Sequence, residues 1–167
     1  MKKQLFFLIL ISPFLLKAQE YKSSIGFRGG ESFGFTYRIF NNVENAAEAL
    51  LSFRDGGMQL TAMKEIFNPA LLKYSDHIFL YQGYGGHLGY SRWHYKDIHD
   101  GDYFTRYPVN MFPLLGIDGL IGIEYRIYKY PLTMDIGFKP FAELGGRRFF
   151  KLSLWDFGFT VRYTFDK

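Results

Sequence analysis

The stretch GIDGLIGIEYRIY, residues 116–128, alternates strictly between two kinds of side chain. One face carries an apolar series: Ile117, Gly119, Ile121, Ile123, Tyr125 and Ile127. The other carries small, polar and charged residues: Gly116, Asp118, Leu120, Gly122, Glu124, Arg126 and Tyr128. Successive side chains of a β-strand point to opposite faces, so this period of two predicts a strand whose faces meet different environments.

Seven further segments indicate strands. Alternation is clear in 33–39, 132–139 and 155–165, and weaker in 22–29, 46–54, 57–67 and 77–91. Glycine, asparagine and proline separate the weaker segments, as expected at turns. Residues 43–53 are ambiguous, because their alanine and glutamate also favour a short helix. Together these eight segments predict an all-β fold, an eight-stranded antiparallel up-and-down transmembrane β-barrel.

The polar face of these strands is unusual for a surface that meets water. It is rich in glycine and small hydroxyl residues, and its isolated charges are nearly balanced in sign. A narrow barrel lumen can hold such charges if they pair. We therefore predict a charge network in the lumen, with these members: Arg28, Arg38, Glu48, Arg54, Glu65, Asp118, Glu124, Arg126, Asp135, Lys139, Glu143, Asp156 and Arg162.

The opposite face is almost free of charge, as a surface that contacts lipid must be. Five aromatic residues fall near one end of the predicted strands, where barrels in membranes carry an interfacial girdle. They are Tyr125, Tyr128, Tyr130, Tyr163 and Phe165. The two faces together favour a barrel that spans a membrane over a soluble barrel.

Residues 1–18 have the pattern of a secretory signal peptide: Lys2 and Lys3, an apolar stretch from Leu5 to Leu16, and a small residue, Ala18. The stretch is too short for a spanning helix. We predict cleavage after Ala18 and a barrel domain over 19–167. Cleavage removes three of the 20 basic residues and leaves 17 against 16 acidic ones. The net charge of +1 predicts no nucleic-acid surface.

The chain contains no cysteine. This composition excludes a disulfide scaffold, a thiolate metal site, a cysteine nucleophile and a lipoprotein anchor. Aromatic residues make up 20% of the chain and charged residues 22%, which excludes a disordered protein.

Four blocks resemble those of small outer-membrane barrels: LLSFRDGGMQLT (50–61), YGGHLGY (84–90), GIDGLIGIEYRI (116–127) and GFTVRYTF (158–165). The chain resembles the eight-stranded OmpA/OmpX type, and within it a group of uncharacterised secreted outer-membrane barrel proteins. The resemblance covers nearly all of residues 20–166. It implies a Gram-negative outer membrane, contact with its lipid and lipopolysaccharide, and insertion by the barrel assembly machinery, which would read the strand ending at Phe165. Here Asp166 and Lys167 follow that aromatic residue, and the resemblance implies no activity.

The predicted loop 92–113 contains imidazole and carboxylate groups that a divalent metal could use. They are His94, Asp97, His99, Asp100 and Asp102. Their spacing matches neither a closed zinc site nor an EF-hand. We therefore predict no metal or cofactor and treat these residues as loop contacts, the alternative being a hydrated loop.

The predicted loop 145–151 pairs the bases Arg147 and Arg148 with aromatic residues. Arginine binds phosphate well, so this loop is a candidate contact for lipopolysaccharide, or simply a solvated turn.

Three functions remain open. The first is a non-enzymatic barrel with a filled lumen, acting through its loops or within a larger outer-membrane assembly, because eight strands leave room only for side chains. The second is a lipid-modifying enzyme, for which Ser91 near His94 is the best nucleophile, without a complete triad. The third is a soluble lipocalin-like carrier in the periplasm, which a charged lumen disfavours. We predict the first.

Overall fold

The computed structural model describes residues 21–54, 56–70, 77–94, 109–145 and 149–165, without the side chains of 93, 94, 109 and 110. These ranges contain ten strands: β1 (Ser23–Gly30), β2 (Phe33–Phe40), β3 (Asn45–Arg54), β4 (Gly57–Pro69), β5 (Ile78–His94), β6 (Val109–Ile127), β7 (Leu132–Phe138), β8 (Phe141–Gly145), β9 (Phe150–Ser153) and β10 (Phe157–Phe165). No helix in these ranges is long and apolar enough to cross a membrane.

The ten strands form one closed antiparallel barrel of eight barrel strands. β7 and β8 together make one barrel strand, interrupted at residues 139–140, because both pair with β6. β9 and β10 make another, interrupted at residues 154–156, because they pair with β8 and β7. β5 pairs with β6, and the barrel is closed by the pairing of the first strand, β1, with the last, β10. The predicted eight-stranded fold is confirmed.

The register shows that the strands are strongly inclined. In one direction from Arg28, paired residues lead to β6 through Gly34, Ser52, Gln59, Gly89 and Leu114. In the other direction they lead to β6 through Thr160, Asp135 and Glu124. The two paths arrive ten residues apart, at positions 114 and 124, which is the shear of the barrel. Such a barrel tilts its strands by about 40° and has an interior just wide enough for side chains.

Alternation along each strand separates the two faces as the sequence predicts. On β6, Ile117 is 70% exposed and Ile121 is 61% exposed, whereas Glu124 is fully buried. The exposed face of β10 likewise carries Phe157 and Phe159. The barrel therefore has its apolar side chains outside and its charged side chains inside.

The two ends of the barrel differ. We call the end that holds Tyr21 and Phe165 the terminal end, and the end that holds the β1–β2 and β3–β4 turns the hairpin end. Tyr125, Tyr128, Tyr130 and Phe165, four of the predicted girdle residues, are exposed at the terminal end. Inside this end, Tyr21, Phe40, Phe67 and Tyr81 form the main cluster of buried apolar side chains.

The barrel is much taller on one side. β1 and β2 contain 8 residues each, whereas β5 contains 17 and β6 contains 19. The extra length lies at the hairpin end, because Ile78 of β5 is paired with Tyr125 at the terminal end. Within the described ranges β9 pairs with β8 alone, so its other edge is open.

Residues 45–54 form a strand, as the weaker alternation over 46–54 predicts, and the helical alternative for 43–53 is excluded because hydrogen bonds to β2 and β4 outweigh the helix propensity of the alanines. Two other details of the sequence interpretation are wrong. The predicted loop 92–113 is shorter, since β5 continues to His94 and β6 begins at Val109. Tyr128 lies exposed in the turn after β6 and not on the inward face.

Candidate functional site

The lumen contains every predicted member of the charge network. Each of these side chains is less than 9% exposed, although each belongs to a residue type that is rarely buried. They form two clusters, one in each half of the barrel. The Arg38 cluster, toward the terminal end, comprises Arg38, Glu48, Glu65, Glu124, Arg126, Asp135 and Arg162. The His87 cluster, toward the hairpin end, comprises Arg28, Arg54, His87, Asp118, Lys139, Glu143 and Asp156.

Arg38 is the centre of its cluster and binds three glutamates from three different strands. Its Nη1 lies 2.6 Å from Oε2 of Glu124, its Nε lies 2.6 Å from Oε2 of Glu65, and its Nη2 lies 2.8 Å from Oε2 of Glu48. The guanidinium carries donors on three sides, so one arginine can tie β2 to β3, β4 and β6. Such a side chain sets the positions of strands far apart in the sequence.

The other two arginines of the Arg38 cluster bind Asp135 and two of the glutamates that Arg38 also binds. Arg162 donates to Glu48 over 2.7 Å and also pairs with Asp135. Arg126 donates from Nε to Glu124 over 2.8 Å, and its guanidinium lies 3.7 Å from the centre of the Phe79 ring. These contacts connect the cluster to β3, β6, β7 and β10.

The Arg38 cluster contains four carboxylates and only three guanidinium groups, and two tyrosine hydroxyls compensate. Tyr21 donates to Glu124 over 2.9 Å, and Tyr81 donates to Asp135 over 2.8 Å. Tyr21 lies before β1; burial, reinforced by the Glu124 carboxylate, raises the pKa of its phenol above the usual value. The phenol therefore stays protonated and remains a hydrogen-bond donor.

His87 is held between two carboxylates in the other cluster. Its Nδ1 lies 2.7 Å from Oδ2 of Asp118, and its Nε2 lies 3.3 Å from Oε2 of Glu143. Lys139 donates to Asp118 over 2.9 Å, and Arg54 donates to Glu143 over 2.5 Å. Both ring nitrogens are thus engaged, which is the arrangement of a structural histidine and not of a general base poised beside a nucleophile.

Asp156 connects the His87 cluster to the first hairpin. It accepts a hydrogen bond of 2.8 Å from the Ser32 hydroxyl and lies 3.5 Å from Arg28 and 3.4 Å from Lys139. Asp156 and Lys139 occupy the two interruptions of the barrel strands, and they bond to each other. The interruptions are therefore tied together inside the barrel.

The fold is similar to that of a solved outer-membrane barrel. The crystal structure of the N-terminal β-barrel domain of Pseudomonas aeruginosa OprF aligns with a TM-score of 0.55 over 88% of this chain and 100% of that chain, at 13% identity. The chain has the fold of that outer-membrane barrel. The resemblance to small eight-stranded outer-membrane barrels is thereby confirmed at the level of fold. No protein-family model and no curated protein matches the chain.

Sequence alternation places the charged residues in the lumen but does not single out their neutral partners. Tyr21, Ser32 and Tyr81 were missed, although Tyr81 lies in the inward phase of β5 two residues after Phe79. Applying the alternation of β5 to Tyr81 would have placed its side chain in the lumen. Tyr21 and Ser32 lie outside the strands, where alternation carries no signal.

The remaining predicted contacts lie outside the described residues. These are Asp97, His99, Asp100, Asp102, Arg147 and Arg148, together with the side chain of His94 and the predicted signal peptide. The described residues contain no group of three or more possible metal ligands.

Proposed function

We propose that the protein is a non-enzymatic integral barrel of the Gram-negative outer membrane that acts as an interaction or structural element. The observation that carries this proposal is the inverted distribution of polarity. Ile117, Leu115 and Phe35 are each more than half exposed on the outer face, whereas the charges are inside. Water would not stabilise such an outer face, whereas hydrocarbon would.

The dimensions of the barrel support the same proposal. At about 3.3 Å per residue and a tilt of about 40°, the eight residues of β1 span roughly 20 Å of depth, close to the apolar band of an outer-membrane barrel. The terminal end, with its ring of tyrosines, would then face the periplasm. The hairpin end would face outward, as in barrels with long outer loops.

Because side chains fill the lumen, the protein would contact other molecules through the outer wall and the outer end of the barrel. β5 and β6 continue beyond the depth that β1 can span, and their neighbours β8 and β9 accompany them. The outer face of this raised sheet remains apolar, with Leu144 49% and Leu152 57% exposed, and among the described residues β9 has an unpaired edge. An open edge beside an apolar face is a common site for adding a strand from another protein.

Membrane fractionation tests the proposed location. We expect the protein in the outer-membrane fraction, extractable only with detergent, with a mass that lacks residues 1–18. Such barrels also migrate differently on gels before and after heating, which reports folding. Recovery of a folded, detergent-free monomer from the periplasm would contradict the proposal and favour the soluble carrier.

A further inference from the structure

Lys64 is an exception to the apolar character of the outer face. Its side chain is exposed on the outer face of β4, between Ala62 and Ile66 in the outward series. Among the described residues it has neither a hydrogen-bond partner nor an ion-pair partner. Within the described strands it is the one charged side chain that faces outward away from a strand end.

The position of Lys64 keeps its ammonium group away from water. It lies five residues from Pro69, the nearer end of β4, which corresponds to a depth of about 12 Å at 3.3 Å per residue and a tilt of about 40°. A lysine in this position is too deep to bring its ammonium group to the lipid headgroups by extending along the wall. A charge facing hydrocarbon at this depth is strongly unfavourable unless another group compensates it.

Lys64 is paired on β5 with Tyr84, which is large and 61% exposed, but the next outward row toward the hairpin end is suited to close contact with another surface. Ala49, Ala62 and Gly86 face outward in one lateral row across β3, β4 and β5. Such small side chains let another backbone approach closely. Gln82, also exposed and without a described partner, lies diagonally across from Lys64 on β5. A second polar group therefore faces outward beside the charge.

A groove continues from Gln82 along the wall. It encloses about 520 Å³ and is lined by Leu80, Gln82, Ile121, Ile136 and Phe138, among others. Its apolar lining would accept side chains from a surface that lies against Lys64.

We propose that this part of the wall, defined by Ala49, Ala62, Lys64, Gln82 and Gly86, docks a different outer-membrane protein that presents a carboxylate at the same depth. The inference rests on the proposed location in the outer membrane. The carboxylate would pair with the Lys64 ammonium, and the row of small residues would let the two walls meet. Excluded from lipid, the pair gains strength from its low-dielectric surroundings.

Charge complementarity argues against two other occupants. Every aspartate and glutamate in the described strands is buried in the lumen: Glu48, Glu65, Asp118, Glu124, Asp135 and Glu143. The wall of a second copy therefore offers no acid to Lys64. The phosphates of lipid headgroups lie too far along the membrane normal to reach it.

Photo-crosslinking in the outer membrane of the native host tests the proposal. A photoreactive aromatic amino acid replaces Tyr84, which is paired with Lys64 and 61% exposed, in one variant and Val161, on the outer face of β10, in a control variant. We expect one discrete protein adduct from position 84, to a protein other than this chain, and none from position 161. Mass spectrometry then identifies the partner and the carboxylate nearest the crosslink.

The Lys64→Leu variant tests whether the adduct depends on the charge of Lys64. Because removal of one member of a desolvated charge pair weakens binding strongly, we expect the adduct from position 84 to fall at least about tenfold. Lys64→Glu should also lose the adduct, and replacing the partner's carboxylate with lysine should restore it. The change in gel migration on heating shows that each variant has folded.

Three results would overturn the docking proposal: an adduct to lipid alone, an adduct to a second copy of this chain, or an adduct that persists at full yield in Lys64→Leu. Absence of any adduct from a wild-type barrel that resides in the outer membrane would do the same. Absence of the protein from that membrane would instead refute the proposed function.

Discussion

Replacing Arg38 with methionine should destabilise the folded barrel by about 3–5 kcal/mol, because it leaves buried carboxylates without their counter-charge. Arg38 is fully buried and contacts Glu48, Glu65 and Glu124 within 2.8 Å. The methionine would fill most of the volume but could donate no hydrogen bond. Lysine at the same position should recover only part of the loss, since an ammonium group lacks the planar fork that reaches three glutamates.

Urea unfolding of the protein reconstituted in lipid vesicles measures this loss. Arg92→Met is the matched control, because Arg92 is exposed near the hairpin end of β5. We expect the control to change the free energy of unfolding by less than about 0.5 kcal/mol. An Arg38→Met variant as stable as the control would show that the Arg38 cluster does not organise the barrel.

Replacing Ile121 with arginine should cost about 2–4 kcal/mol in lipid vesicles, since it places a charge on the wall near the middle of the apolar band. Ile121 is 61% exposed, and its neighbours on the outer face are the apolar Gly119, Ile123 and Phe138 together with the polar Gln82. The loss should come from the contact with hydrocarbon. It should therefore shrink when the barrel is held in a detergent micelle with a thin apolar layer, measured by the same unfolding experiment.

The neighbouring Gly122→Arg change should prevent stable folding, for a reason that does not involve lipid. Gly122 faces inward, and a Cβ there would overlap the Tyr81 ring. Its effect should therefore persist in the micelle, unlike that of Ile121→Arg. Equal and negligible effects at both positions would contradict the assignment of the two faces.

The faces of the barrel could be predicted from the sequence because a period of two is local. Ile121 and Glu124 are assigned to opposite faces by counting along one strand. The pairs inside the lumen could not be predicted in this way. Arg38 meets Glu65 and Glu124 across 27 and 86 residues of sequence, and only the register of the closed barrel decides which charges meet.

Residues 45–54 show where the local pattern is weakest. The inward side chains Ala46 and Leu50 and the outward Ala47 and Ala49 are all apolar, so alternation is hidden and helix propensity competes. Because the outward residues beside Lys64 on β3 are small, the sequence pattern also does not show that Lys64 is an isolated charge on the outer face. Its position on the wall is apparent only when the phase of β4 is fixed by its neighbours.

The proposed location in the outer membrane requires that the apolar outer face meets hydrocarbon while the polar face is sealed inside. Because the chain has no cysteine, single cysteines can be introduced and spin-labelled without further changes. Labels at Ile117, Ile121 and Ile123 in lipid vesicles should collide freely with oxygen, which dissolves in lipid, and poorly with a water-soluble nickel chelate. If those three labels instead met the nickel chelate as readily as an exposed loop label does, the outer face would lie in water and the proposed membrane location would be refuted.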